Sequence, residues 1–326
     1  MKTSTYSLHG CARIAVLLLF AVPPCTARAQ YPDRLIRAVV PFAPGGSNDT
    51  MARLISPELS KALGQQVIVE NRPGAAGNIG IDAVAKSPPN GHTILFSATA
   101  STQNPALFRK LPYDPLRDIQ PVAELGQAPY VFLVNPGVPA RNLQQLINLA
   151  RRNPGKLNAA SGGIGTRLSS ELFQIQNRLT LEIIPYQGSG QAALAVMTGE
   201  ADFVVMETSP VHGQLAAGKL RALAVAGEKR LKLFPDVPTT SEAGFPDYKS
   251  GTIFGVYVSA GTRADIIEKL NATINRIISA PALGGRLLEL GVETNPKSVE
   301  EFSDLYRKEI EKWKTIVRQA RIPPVD

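Results

Sequence analysis

Short apolar runs alternate with longer helix-period segments along almost all of this chain, and that alternation restricts the fold more than any other feature. Ala38–Phe42, Gln66–Glu70 and Thr93–Phe96 read as strands, as do Val131–Val134, Asn158–Ala160, Glu182–Pro185, Ala201–Val205 and Leu220–Ala226. Helical segments and short loops separate most of them, which predicts parallel sheets with helices on both faces. The pattern halts at the proline-punctuated loop Leu111–Asp118 and restarts at Val131, so two α/β lobes are expected. Phe254–Val258 reads as a return strand, and Ile266, Ile267, Leu270, Ile274, Ile277 and Ile278 mark an amphipathic helix after it. Ser298 with Glu301 three residues on is a capping box, opening a last helix through Phe302, Leu305, Trp313, Ile316 and Val317.

The first strand turns on Gly45-Gly46 into a helix beginning between Ser47 and Asp49. Such a corner leaves the amides of the first helical turn without partners, at the positive end of the helix dipole. It suits a small carboxylate or phosphate without any Lys or Arg. Capping by Ser47, Asn48 or Asp49 is the plainer reading of the same residues. Ser97-Ala98-Thr99-Ala100-Ser101, after the third strand, repeats the chemistry. Neighbouring strand ends of an open α/β sheet face one crevice, so the two corners are expected to converge. The loop Pro73–Gly80 spaces its glycines as GxxGxxG, neither a dinucleotide fingerprint nor a P-loop, and close helix packing accounts for it. In the second half, Ser161–Thr166 reads as a loop before a helix from about Leu168 to Gln176.

Residues 1–29 read as an export signal: Lys2 and Arg13, the apolar run Ile14–Val22, and Ala27-Arg28-Ala29 at the cleavage position, with cleavage after Ala29. The run is too short to span a bilayer. Cys11 and Cys25 both fall within it, so the mature chain has no disulfide, and Val22-Pro23-Pro24 lacks the small residue expected before a lipidated cysteine. Losing Lys2, Arg13 and Arg28 takes the formal charge from +8 to +5. The remaining basic residues are scattered, which argues against nucleic acid and mildly favours small anions.

Catalytic machinery is missing from the pattern. There is no GxSxG elbow and no HExxH, and only His92 and His212 follow the signal. No His, Asp and Glu fall at metal-ligand spacing, so neither a metal nor a cofactor is expected. An exported hydrolase of carboxylate esters is correspondingly disfavoured, and the chain is expected to bind rather than catalyse.

Pro41–Asp49, Val69–Gly80, Asn104–Pro115, Pro185–Ser189, Ala217–Val225 and Phe234–Thr239 resemble the Bug (Bordetella uptake gene) family, the solute receptors of tripartite tricarboxylate transporters. The resemblance covers the mature chain in order. It implies a periplasmic, type II-like binding protein, monomeric, with two α/β lobes and a cleft: lobe 1 from 30–130 plus 254–326, lobe 2 from 131–253. It implies a grip on a small organic carboxylate by Phe42, Ala43, Gly45, Gly46, Ser47 and Asp49 and by Ser97, Ala98, Thr99 and Ser101. The second lobe would add Ser161, Gly165, Thr166, Arg167, Tyr186, Met206 and Glu207. The implied partner is a membrane permease of that transporter type, or alternatively a sensor kinase to which the ligand is presented. The sequence departs from the family in the second lobe: the Ser161–Ser170 loop is shorter than usual, Arg167 stands where many relatives have histidine, and Met206 where aspartate is frequent. Arg167 is therefore a candidate partner for a second ligand carboxylate.

Overall fold

Ten strands and ten α-helices follow one another from Ile36 to Gln319 in the computed structural model, which describes residues 1–3 and 31–325. The apolar leader and the cleavage site expected after Ala29 lie outside the described residues. In chain order the elements are β1 (Ile36–Val40), α1 (Ser47–Leu63), β2 (Val67–Asn71), α2 (Asn78–Ala85), β3 (Thr93–Ser97), α3 (Ala100–Leu107), β4 (Ile119–Pro129) and β5 (Val131–Val134). They continue with α4 (Leu143–Arg152), β6 (Asn158–Ser161), α5 (Ile164–Asn177), β7 (Glu182–Pro185), α6 (Ser189–Thr198), β8 (Phe203–Met206), α7 (His212–Ala216) and β9 (Arg221–Val225). The last four are β10 (Gly251–Ser259), α8 (Ala264–Ser279), α9 (Pro281–Glu289) and α10 (Val299–Gln319).

The strands form two five-stranded sheets, ordered β2-β1-β3-β10-β4 and β7-β6-β8-β5-β9. Both are mixed rather than parallel. β1, β2 and β3 pair in parallel, but β10 lies antiparallel to β3 and β4. In the second sheet β6 pairs in parallel with β7 and β8, while β5 is reversed against β8 and β9. The reason is connectivity: each reversed strand enters its sheet from the other sheet, not through a right-handed helical crossover.

Tyr130 alone separates β4 from β5, and the chain returns over 226–250. The two crossings are hydrogen-bonded side by side, Tyr130 N–H to Ser250 C=O at 3.0 Å and Ala226 N–H to Tyr130 C=O at 2.7 Å. The alternation of β5 shows why its residues are all apolar: Phe132 and Val134 enter one core, Val131 and Leu133 another on the opposite face. α10 begins with its expected capping box, Ser298 accepting from the Glu301 amide and Glu301 from that of Ser298. Its first half packs Phe302 and Tyr306 against Tyr257 of the first sheet. Its second half buries Trp313, Ile316 and Val317 with Phe132 and Phe173 of the second.

β4 and α9 are elements the sequence reading passes over. β4 carries Pro121 and Pro129 and a buried Glu124, which mask a strand pattern; as an edge strand it needs only one partner, so its prolines are tolerated. Gly80 bears out the packing explanation of the glycine-rich loop. A Cβ there would stand 2.7 Å from Pro41 Cα, so only glycine lets α2 lie this close to the end of β1.

Candidate functional site

A cavity of about 360 Å³ opens where the ends of β1 and β3 meet the start of α5. Phe42, Gly46, Ser47, Ala98, Thr99 and Gly165 line it, as do Asn48, Gln103, Asn104 and Thr252. A second space of about 320 Å³ shares Ser47 and Thr252 and adds Gly45, Glu207, Ser209 and Pro210. The two together form one cleft walled by loops from both sheets.

At the first corner the earliest amide bond of α1 is Thr50 N–H to Gly46 C=O, 2.9 Å. Among the described residues nothing takes the amides of Gly46, Ser47 or Asn48, and all three residues line the cavity. Asp49 does not present itself to a ligand. Its buried carboxylate accepts from the Gly45 amide, from Arg53 Nε and from Asn71 Nδ2, each at 2.9 Å. Asn71 also donates to the Phe42 carbonyl at 3.0 Å, so one acid and one amide hold the whole turn. An inward acid at this helical position finds the turn's own donors closer than any cleft group. Ala43 is exposed and lines neither space.

The hydrogen bond from Arg53 holds the Asp49 carboxyl down at about 2, helped by the Gly45 and Asn71 donors. A depressed carboxyl contributes stability that is complete above its unfolded value near 4 and is lost as pH falls towards 2. Asp49→Asn is expected to cost about 1 to 2 kcal/mol at neutral pH and to shrink as a difference below pH ~3. Melting temperatures of both proteins across that range check it; parallel curves would refute the assignment.

At the second corner the two serine hydroxyls are engaged within the turn. Ser97 Oγ and Ser101 Oγ both donate to the Ala98 carbonyl, at 3.3 and 3.2 Å, and both side chains are buried. A hydroxyl at a strand end reaches the nearest free carbonyl of its own turn first. The amides of Thr99, Ala100 and Ser101 precede the first bonds of α3, those of Thr102 and Gln103 to Thr99 C=O. Thr99 and Ala100 line the cavity. Gln103 and Asn104, which the sequence reading leaves out, stand one turn further on. The Gln103 amide lies in the cleft, 3.7 Å from where a Gly165 Cβ would be. Asn104 donates to Ala76 C=O at 2.9 Å and to Asn78 Oδ1 at 2.8 Å, tying α3 to the glycine-rich loop. The i+4 spacing from Thr99 and Ala100 to these residues is the signal that finds them.

In the second half of the chain only two of the seven expected residues line the cleft. Gly165 sits under Tyr130: a Cβ there would lie 2.6 Å from Tyr130 Oη, which itself accepts from Thr252 Oγ1 at 3.3 Å. That requirement, with Gly163 as the residue before the first turn, starts α5 at Ile164 rather than near Leu168. Ser161 and Thr166 turn their hydroxyls onto Gly163 C=O, at 3.1 and 2.9 Å. Tyr186 donates to Glu200 at 2.9 Å, and Met206 is fully buried in the core beneath β8. Arg167 projects from an exposed face of α5 towards Glu171, one turn on at 3.8 Å, and lines neither space. Its helical phase, a residue past the inward-facing Gly165 and Thr166, carries it out of the cleft.

Glu207 is the remaining cleft residue and the single ionisable side chain lining either space. Burial pushes its carboxyl above the ordinary carboxylate range. Among the described residues no Lys, Arg or His lines the cleft, and the partial positive charge available to an anion there is that of the helix starts of α1, α3 and α5.

A family model described as the tripartite tricarboxylate transporter family receptor matches residues 51–322. The BugT protein of Bordetella pertussis is 35% identical over 294 residues, spanning 89% of this chain and 90% of that protein. Among solved structures, R. palustris Rpa4515 with adipate superposes with a TM-score of 0.77 at 31% identity, covering 90% of this chain and all of that one. MatC from Rhodopseudomonas palustris, with bound malate, superposes at 0.73 with 33% identity, over 88% and 100%.

Proposed function

The chain belongs to the tripartite tricarboxylate transporter receptor family, whose members are solute-binding receptors, and from that premise we propose that it captures a small organic carboxylate in its cleft outside the cytoplasm and hands it to a permease of that transporter type. The observation that carries this reading is that residues with unpartnered amides, Gly46 to Asn48 and Thr99 with Ala100, line one cavity in which no basic side chain is found among the described residues. Fixed main-chain dipoles hold an anion without the desolvation cost of a buried lysine. Micromolar binding needs about 8 kcal/mol, and each charge-assisted bond contributes roughly 1.5 to 3, so both corners must act together.

In this reading 30–130 with 254–326 form one lobe and 131–253 the other. They hinge at Tyr130 and Ser250 and close over the bound solute as a monomer, released into the periplasm after cleavage at Ala29. No step of chemistry is assigned to it: Ser97, Ser101, Ser161 and Thr166 donate their hydroxyls within their own turns, and among the described residues no histidine or lysine lines the cleft to activate another.

A ligand confined to the native state stabilises it by about 2.7 kcal/mol at a hundred times Kd. For a chain of this length that amounts to a rise in Tm of roughly 4 °C. The mature protein screened against mono-, di- and tricarboxylates, with amines and sugars as controls, is expected to respond to a subset of the acids alone. A response to amines or sugars and to no acid would overturn the reading.

A further inference from the structure

Glu207 is the one charge-bearing group of the cleft with no partner there. β8 ends at Met206, whose side chain is fully buried in the core, and the next residue is delivered to the cleft mouth opposite the start of α1. Gly45 and Ser47 line the same space, so an anion held at the α1 corner has the Glu207 carboxyl in its surroundings. The other residues lining this space, among them Thr50, Ser209, Thr252 and Phe254, carry no charge. Tyr130, whose hydroxyl accepts from Thr252, is the other titratable group close enough to sense it. Apart from its own amide, nothing among the described residues donates to the Glu207 side chain.

A half-buried carboxyl whose one donor is its own amide is unfavourable as an anion. A second ligand carboxylate beside it would either repel it or have to share a proton with it. A hydroxyl or ammonium at the far end of the ligand would instead supply the missing donor. Resting on the function proposed above, we infer that Glu207 sets the specificity of this receptor: it selects a monocarboxylate whose opposite end is a hydrogen-bond donor, a hydroxy or amino acid, over a dicarboxylate of the same length. The carboxylate goes to the helix starts and the donor to Glu207. This differs from assigning the far end to Arg167, which faces away.

The measurement is calorimetric titration of the mature protein at neutral pH with succinate and adipate, beside the ω-hydroxy and ω-amino monocarboxylates of the same chain lengths. The wild type is expected to bind the best donor-ended acid about tenfold or more tighter than its matched dicarboxylate, and to take up protons when a dicarboxylate does bind. Glu207→Gln keeps the size of the side chain. It is expected to fold with an unchanged or higher Tm, to lose the preference for the ammonium ligand, and to gain dicarboxylate affinity. If the variant binds with the same order of preference as the wild type, the role given to Glu207 is wrong while the carboxylate reading stands. If the wild type prefers dicarboxylates without proton uptake, the role is likewise wrong. If no acid of the series binds the wild type while other acids do in the wider screen, the role given to Glu207 is wrong and the carboxylate reading stands; if no acid binds in either, both fall.

Discussion

Gly46→Asp is expected to make the protein slightly more stable and at least ~100-fold weaker as a carboxylate binder. Gly46 is the residue before the first turn of α1, with φ −78° and ψ 171°, a conformation open to any residue. The nearest atom to a Cβ placed there is the Ala43 carbonyl oxygen at 3.8 Å, an ordinary contact. Aspartate at that position caps the amides two and three residues on, worth a few tenths of a kcal/mol relative to glycine. Those are the amides of Asn48 and Asp49, at the turn where the solute's carboxylate is proposed to sit. The protein's own carboxylate then occupies the corner, takes the Asn48 amide, a charge-assisted bond of roughly 1.5 to 3 kcal/mol, and repels the ligand from the rest. Gly46→Ala, with no acceptor, should leave affinity close to wild type. The pair of variants, measured by calorimetry and by thermal melting, separates an anion corner from an ordinary helix start. Undiminished binding by the aspartate variant would remove the corner from the site.

The second large effect is on stability. Trp313→Ala should cost about 3 to 5 kcal/mol, the range for emptying a buried aromatic site. Trp313 is fully buried where α10 leaves the first sheet's core and enters the second's, and its neighbours there include Ile316, Val317 and Phe132. Among the described residues the indole N–H has no acceptor, so its polar end adds no hydrogen bond that phenylalanine lacks. Trp313→Phe is accordingly expected to cost much less, about 1 to 2 kcal/mol, through lost volume alone. Urea denaturation of the three proteins tests this; equal losses for both variants would point to a hydrogen bond rather than to packing.

The elements legible in the sequence are those whose signal is local. β1, α1 and β3 follow from apolar run, glycine turn and helical period, and the Ser298–Glu301 box marks the start of α10 within one residue. Strand direction was not legible, because β5 and β10 are reversed by the two crossings, a property of the path rather than of any residue in them. β4 was hidden by prolines that only an edge position permits. At the cleft the hydroxyls that stand out in the sequence are mostly turned inward on their own loops. Ser97, Ser101, Ser161 and Thr166 are the hydroxyls that composition singles out, yet each is spent on a carbonyl of its own loop. Gln103 and Thr252 reach the cleft from elements with no functional signature of their own. Arg167 attracted attention by its charge, while the side chain that lines the cavity is Glu207, one residue beyond the buried Met206.

The amides at the starts of α1 and α3 belong to the peptide backbone, and point mutation cannot delete them short of introducing proline. Drift in such a lineage can therefore rewrite what is recognised at the distal end of a solute while the clasp on its acidic end is inherited intact. Diversification of diet by a receptor built this way needs no reinvention of its anchor.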